Sequence, residues 1–472
     1  MTRKPKAGFL TLCAPVHVHL RDELDRPFPV FGQAEMCARS LEKIGIDLVL
    51  FKNKRMVDGN VKSLQVENFN DDVIVDSKEK MIKATAQMIE AGIDCLILFF
   101  PTWMWTSHYT QSLIKLNLPI VLWSGSVMTG CQNVGLWGMH GTLDEIGIDH
   151  KLVYGMPDDK KVLADILVHT KAAMVKNVLS KSKIGLFGSK CMDMIPGLIN
   201  DAEWLSKFGI ESEHLDQYYL IIEAEKATKE EIENAYNEIK NSVSELPPLN
   251  EEMEKQVRMY VAHKKLVKEH NIDFDGVKCV FELSDNYCSP CVGQCMLQTQ
   301  GFVTACCGEP KGALTMYIMR IMSDAPIFQA DVEAVDINKK IVRMVSCGSA
   351  PITIGDTSKS GKFLEKPPLE GEAGGICLDI EAKPGKVTFA RISKIKDKYV
   401  MHISKGEVFK DIYDERKETG WPSMPYAAIK LDGDPEKFIQ NLRSQYMHLC
   451  YDDLVNELIE ACKLLGIEPI IS

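Results

Sequence analysis

GFVTACCGEPKGALTMYIMRIMSDAPIFQADVEAVDINKKIVRMVSCGSAP, residues 301–351, decides the fold. It reads as a strand, a tight polar turn, a helix, a second strand ending on an acid, a hairpin-like continuation and a third polar turn. Cys306, Cys307, Glu309, Asp331 and Cys347 therefore collect at the ends of elements instead of along their faces. In open α/β sheets ligands bind in the crevice at the carboxyl ends of the strands, so this segment carries the candidate active site.

Upstream, strand-like runs at Ala7 to Leu12, Asp47 to Phe51, Cys95 to Phe100 and Pro119 to Trp123 alternate with helical patterns such as Lys78 to Ala91. That alternation is the mark of a parallel sheet with crossover helices. A second set follows the helix Lys160 to Leu179. It comprises the strand Lys183 to Phe187, helices within 200–208, 229–245 and 251–270, and a strand at Lys278 to Glu282. After Pro351 the texture changes to glycine turns and short alternating strands, and a helix from Leu454 to Leu465 closes the chain, with Asp453 as its N-cap and Gly466 past its end. The expected class is α/β: two doubly wound parallel-sheet domains, 1–160 and 161–350, then an antiparallel β-barrel-like domain with a terminal helix, 351–472.

The 472 residues are 45% hydrophobic, enough for two or three cores, and carry a net charge of -11. That charge argues against nucleic-acid or membrane phosphates as partners and for a small-molecule substrate. No apolar run approaches the ~18 residues of a membrane span, the first twenty residues lack a signal-peptide core, and fifteen cysteines suggest reduced thiols; a cytoplasmic protein is expected.

Three kinds of side chain carry possible chemistry. Glu309 precedes a helix and Asp331 follows a strand, so a right-handed crossover would bring both carboxylates to one crevice. His448, in RSQYMHLCYDD, is placed in a turn before the last helix and adds an imidazole, giving an oxygen-and-nitrogen set suited to Mn²⁺ or another divalent cation. Cys288-x2-Cys291-x3-Cys295 has a spacing that suits zinc or an iron–sulfur cluster, and Cys306 or Cys307 near a helix start suits a reactive thiolate. Trp421, in TGWPSMPY, offers a stacking face for a sugar.

The runs Cys279-Val-Phe-Glu-Leu, Gln300-Gly-Phe-Val-Thr-Ala-Cys, Gly312-Ala-Leu-Thr-Met, Asp331 and Ser346-Cys-Gly-Ser-Ala-Pro resemble the second domain of the L-fucose isomerase and L-arabinose isomerase superfamily. The run from Lys383 to Arg391 is similar to its C-terminal β domain, so the resemblance spans nearly the whole chain. It implies a metal-dependent aldose–ketose isomerase acting on a sugar through an ene-diol, as a homo-trimer or homo-hexamer. Asp331 and His448 match two metal ligands, and Arg21, Trp103 and Trp105 match residues presented to a neighbouring subunit's site. The match is broken at the first ligand: Cys307 stands at the usual glutamate position and Glu309 two residues on, and Ser346 replaces a histidine. The expected metal-site residues are therefore Glu309, Asp331, His448 and Cys307, with Glu309 and Asp331 as proton carriers. Two alternatives stay open: a cysteine-ligated zinc or iron–sulfur site with different sugar chemistry, and a sugar-binding protein without catalysis.

Overall fold

Apolar runs covered on both faces become parallel strands, and the first unit of the chain is built from them. The computed structural model describes residues 3–14, 30–51, 74–125, 132–357, 360–366, 375–411 and 424–472, in two compact units, 3–177 and 178–472. In the first, β1 (Lys6–Leu12), β2 (Asp47–Leu50), β3 (Ile74–Val75), β4 (Cys95–Phe99), β5 (Ile120–Ser124) and β6 (His150–Tyr154) form a parallel sheet ordered β2-β1-β4-β5-β6, with β3 also on β1. Every residue of β4 and β5 is buried. The crossover helix Lys78–Glu90 begins where the Ser77 side chain accepts the Lys80 N–H. Gly8 lets this helix lie close, because a Cβ there would stand 2.6 Å from Met88 Sδ.

The second unit opens with β7 (Lys183–Phe187), β8 (Glu211–Leu215), β9 (Phe274–Val277) and β10 (Val303–Cys306), a parallel sheet ordered β10-β9-β7-β8. The strand expected at Lys278–Glu282 is instead β9, four residues earlier. Its run Phe-Asp-Gly-Val hides an acid at the sheet centre. Buried Asp275 is tolerated because His263, from the Glu251–Glu269 helix, meets it at 2.6 Å. Cys279 thereby falls just past a strand end.

The remaining strands are β11 (Ile327–Asp336), β12 (Ile341–Val345), the separate pair β13 (Lys362–Lys366) and β14 (Gly375–Asp379), then β15 (Gly385–Ile395), β16 (Lys398–Phe409), β17 (Tyr426–Leu431), β18 (Tyr446–Cys450) and β19 (Glu468–Ile471). Six of them close an antiparallel barrel, β15-β18-β11-β12-β17-β16 and back to β15, with β19 added parallel to β16. Two expectations are corrected here. The strand at Ile327 belongs to this barrel and runs on past Asp331, and His448 lies within β18 instead of a turn. The reason is period-two alternation. Phe328 opposite Leu449 and Ala330 opposite Met447 join one buried apolar cluster, so Gln329 opposite His448 and Asp331 opposite Tyr446 face the other way.

The last helix is Val455–Leu465, ended by Gly466 at φ 62°; Leu454, not Asp453, occupies its N-cap and makes no side-chain cap bond. No helix among the described residues is long and apolar enough to cross a membrane.

Candidate functional site

At the carboxyl end of β10 the chain must reverse into the Pro310–Met322 helix within three residues. It does so with Cys307 at φ 55° and Gly308 at φ 60°, both left-handed. For Gly308 this is free of steric cost; for Cys307 it costs about 1 kcal/mol or more, the kind of strain that gathers at functional sites. The turn delivers Glu309 to the helix N-cap, where its Oε2 accepts the Gly312 N–H.

Arg391, from β15, donates from Nη1 to the same Oε2 at 3.0 Å, and both side chains are 1% exposed. His448 Nδ1 donates to Ala390 O at 3.1 Å, which leaves Nε2 as the lone-pair nitrogen. Burial, and after it the charge of Arg391, pushes the imidazole pKa down to about 3, so the ring is neutral at physiological pH. A Cβ added at Gly312 would collide with both His448 Nε2 and Glu309 Oε2. The two atoms thus share one small space that exists because residue 312 has no side chain. His448 Nε2, Glu309 Oε1 and Arg391 Nε and Nη2 are buried without hydrogen-bond partners among the described residues. Buried donors and acceptors without protein partners thus gather here, which makes this the candidate binding place.

Gln329 holds this arrangement together. Its Oε1 accepts the Cys306 N–H at 2.9 Å and its Nε2 donates to Cys306 O at 3.3 Å, which docks the end of β10 onto the outer face of the barrel. On that face Asp331 is half-buried. Desolvation, then the nearby Cys347, pushes its carboxyl up to about 7. Among the described residues, the groups of three potential ligands with all donor atoms within 4.8 Å of one another are Cys191, Cys279 and Cys307, and His140, Asp144 and His150. Glu309, Asp331 and His448 do not form such a group. Glu309 and His448 share a space beside Gly312.

Beside the pair, sulfur accumulates. Cys191, Cys279 and Cys307 follow β7, β9 and β10, three neighbouring strands, and are all buried. Cys279 Sγ lies 3.8 Å from Cys307 Sγ, Cys306 Sγ is 3.8 Å from Cys307 Sγ, and Cys306 Sγ is 3.7 Å from Cys347 Sγ. Hydrogen bonds from Cys191, Cys306 and Cys307 hold the Cys279 thiol well below its ordinary value. The spacing motif of Cys288, Cys291 and Cys295 is not assembled. Cys288 sits in an apolar cluster with Phe187 and Leu283, and Cys295 in the barrel-side core.

Arg391 also lines a cavity of about 390 Å³ with Lys311, Lys394, Lys396, Arg443 and Tyr399. Lys311 donates to Pro196 O and, at 2.7 Å, to Leu198 O, and burial lowers its pKa to about 8. Glu203, paired with Lys394 at 2.7 Å, is the acid on the wall, so cations predominate.

Arg21 and Trp421 lie outside the described residues. Trp103 and Trp105 belong to the first unit, their rings edge to face at 5.9 Å, with Trp105 40% exposed. Arg391 and Gln329 were not singled out from sequence as site residues, and Gly312 entered only as part of a family-like run. Arg391 could have been, as a charged residue on the alternating strand Val-Thr-Phe-Ala-Arg-Ile, where a cation in a barrel wall needs a buried acid.

Residues 370–472 match the family described as L-fucose isomerase, C-terminal domain. Sulfoquinovose isomerases from Priestia aryabhattai and Priestia megaterium are 23% identical over 67% of this chain and 70% of their own length. One from a Clostridium species is 24% identical over 52% of this chain and 58% of its own. Residues within this match supply four of the six barrel strands, β15 to β18, and the chain is an isomerase similar to the fucose isomerase-like proteins.

Proposed function

We propose that the protein interconverts an aldose and its ketose through an ene-diol, and that the sugar carries an anionic group, a sulfonate being the first choice. The observation that carries this reading is the shared space of Glu309 Oε2 and His448 Nε2, walled by Arg391, which also lines the cationic cavity. The names of the matched relatives supply the substrate class, and the excess of Lys and Arg on the cavity wall supplies a physical reason for a sulfonate there.

Glu309 and Asp331 are the proposed proton carriers. One carboxylate takes the proton from C2 of the aldose and, after exchange with solvent, gives a proton to C1, while the hydroxyl proton on O2 passes to O1. Asp331, at about 7, is balanced between accepting and returning a proton at neutral pH. Arg391 and the Gly312 N–H fix the Glu309 carboxylate, and neutral His448 offers a lone pair. Glu309 Oε1 and His448 Nε2, both buried without hydrogen-bond partners in the protein, would be the atoms that hold a divalent cation such as Mn²⁺. Such an ion would supply a Lewis acid that polarises the sugar carbonyl.

The test is NMR of the full chain with sulfoquinovose and, separately, with D-glucose, which has the same ring without the sulfonate. The expected result is ketose formation from the sulfonated sugar at a kcat/KM about tenfold or more above glucose. Equal rates would overturn the anionic substrate, and no ketose from any aldose, with Mn²⁺ supplied, would overturn the isomerisation.

A further inference from the structure

Most cysteines of this chain behave as small apolar residues. Burial alone pushes the Cys37 thiol up, and Cys288 and Cys295 are raised chiefly in the same way. Cys191, Cys279 and Cys307 differ in place and in company. Each follows a parallel strand, and the three strands are neighbours in the order β10-β9-β7, so their loops converge at one edge of the crevice. The left-handed backbone at Cys307 is part of that convergence.

The spacing of the sulfurs has chemical content. Thiolates bound to one zinc ion stand ~2.3 Å from it, and the edge of that tetrahedron is ~3.8 Å. Cys279 and Cys307 are 3.8 Å apart, and all three sulfurs lie within 4.8 Å of one another. A disulfide needs sulfurs at ~2.05 Å. A [4Fe–4S] cluster puts each thiolate on a separate iron and a [2Fe–2S] cluster puts at most two on one, so three sulfurs gathered this closely suit a single ion better. Cys306, with its Sγ 3.8 Å from Cys307 Sγ, adjoins the three.

We propose that Cys191, Cys279 and Cys307 hold one thiophilic d¹⁰ cation, zinc first, in a site separate from the Glu309 and His448 pair. Binding closes the three strand-end loops around one ion and fixes the Cys307–Gly308 turn that delivers Glu309 to its helix. The inference does not depend on which sugar the enzyme takes, nor on isomerisation itself.

The test uses the full chain, purified under reducing conditions without chelator from zinc-supplemented medium, with elemental analysis for zinc, copper, manganese, iron and acid-labile sulfide. The expected result is about one zinc per chain, reduced at least tenfold in Cys279→Ser and unchanged in Cys288→Ser. Cobalt added to the metal-free wild type should give an intense near-ultraviolet sulfur-to-metal band with tetrahedral visible absorption. This reading decides the matter even where Cys279→Ser fails to fold. No zinc and only weak octahedral cobalt bands would overturn the proposal, as would zinc that Cys279→Ser retains, or iron with sulfide in place of zinc. Copper in place of zinc, lost in Cys279→Ser, would keep the thiophilic site and change the ion.

Discussion

Two sets of side chains with metal-ligand chemistry sit at the carboxyl end of the second parallel sheet, and they are built differently. The sulfur set, Cys191, Cys279 and Cys307, comes from loops of the sheet itself, one after each of three neighbouring strands. The oxygen-and-nitrogen set crosses an interface within the second unit. Glu309 comes from the sheet side, His448 and Arg391 from the barrel, and Gln329 clamps the two together through the Cys306 backbone. The first set needs only strand order. The second needs two substructures docked to within a hydrogen bond, so it is the more fragile and the more readily silenced.

That contrast orders the expected effects. Glu309→Gln removes the carboxylate but keeps its shape, and should lower kcat/KM about 10²–10⁴-fold in a steady-state assay while leaving thiol-bound zinc in place. Loss of both together would mean that the two sets are one site. Arg391→Met leaves Glu309 buried without its cation, and unfolding in urea should show a loss of about 3–5 kcal/mol. A loss below ~1 kcal/mol would mean that the pair is solvated in solution. Gly312→Ala puts a methyl group into the space shared by Glu309 and His448 and should cost about 10²-fold in kcat with a stability loss of about 1–3 kcal/mol, measured by kinetics and thermal unfolding side by side.

The smallest effect is with pH. Asp331 must be ionised to accept a proton, and its pKa is raised to about 7, so kcat/KM should climb with pH about tenfold per unit below 7 and level off above it. The inflection should vanish in Asp331→Asn. A profile flat from pH 5 to 8 would remove Asp331 from the proton transfer.

The sequence reveals the fold wherever apolar runs and period agree. The helix Lys160–Leu179 and the strand Lys183–Phe187 fall where periodicity sets them. It misleads where a buried polar pair replaces apolar character, as in β9, whose Asp275 is meaningful only beside His263, twelve residues back on the preceding helix. Reading Ile327 as another parallel strand failed for a related reason. Length and alternation to Asp336 marked a barrel strand, and only the partner β18 makes that visible. Of the site, Glu309 was legible from its place before a helix, and Cys307 from its break with the family pattern. Arg391 and Gln329 were not, because each acts on an atom 82 or 23 residues away. Sulfur shows the opposite failure. A compact spacing drew attention to Cys288, Cys291 and Cys295, while the cysteines that meet, Cys191, Cys279 and Cys307, are spread along the chain and brought together by strand order.

The account stands most directly on proton movement at carbon. In D₂O with Mn²⁺ and sulfoquinovose, the wild type should exchange solvent deuterium into the C1 or C2 position of the recovered sugars, seen by proton NMR, and Glu309→Gln should not. Ketose formed with full retention of the original hydrogen, or exchange undiminished in Glu309→Gln, would contradict the proposed chemistry.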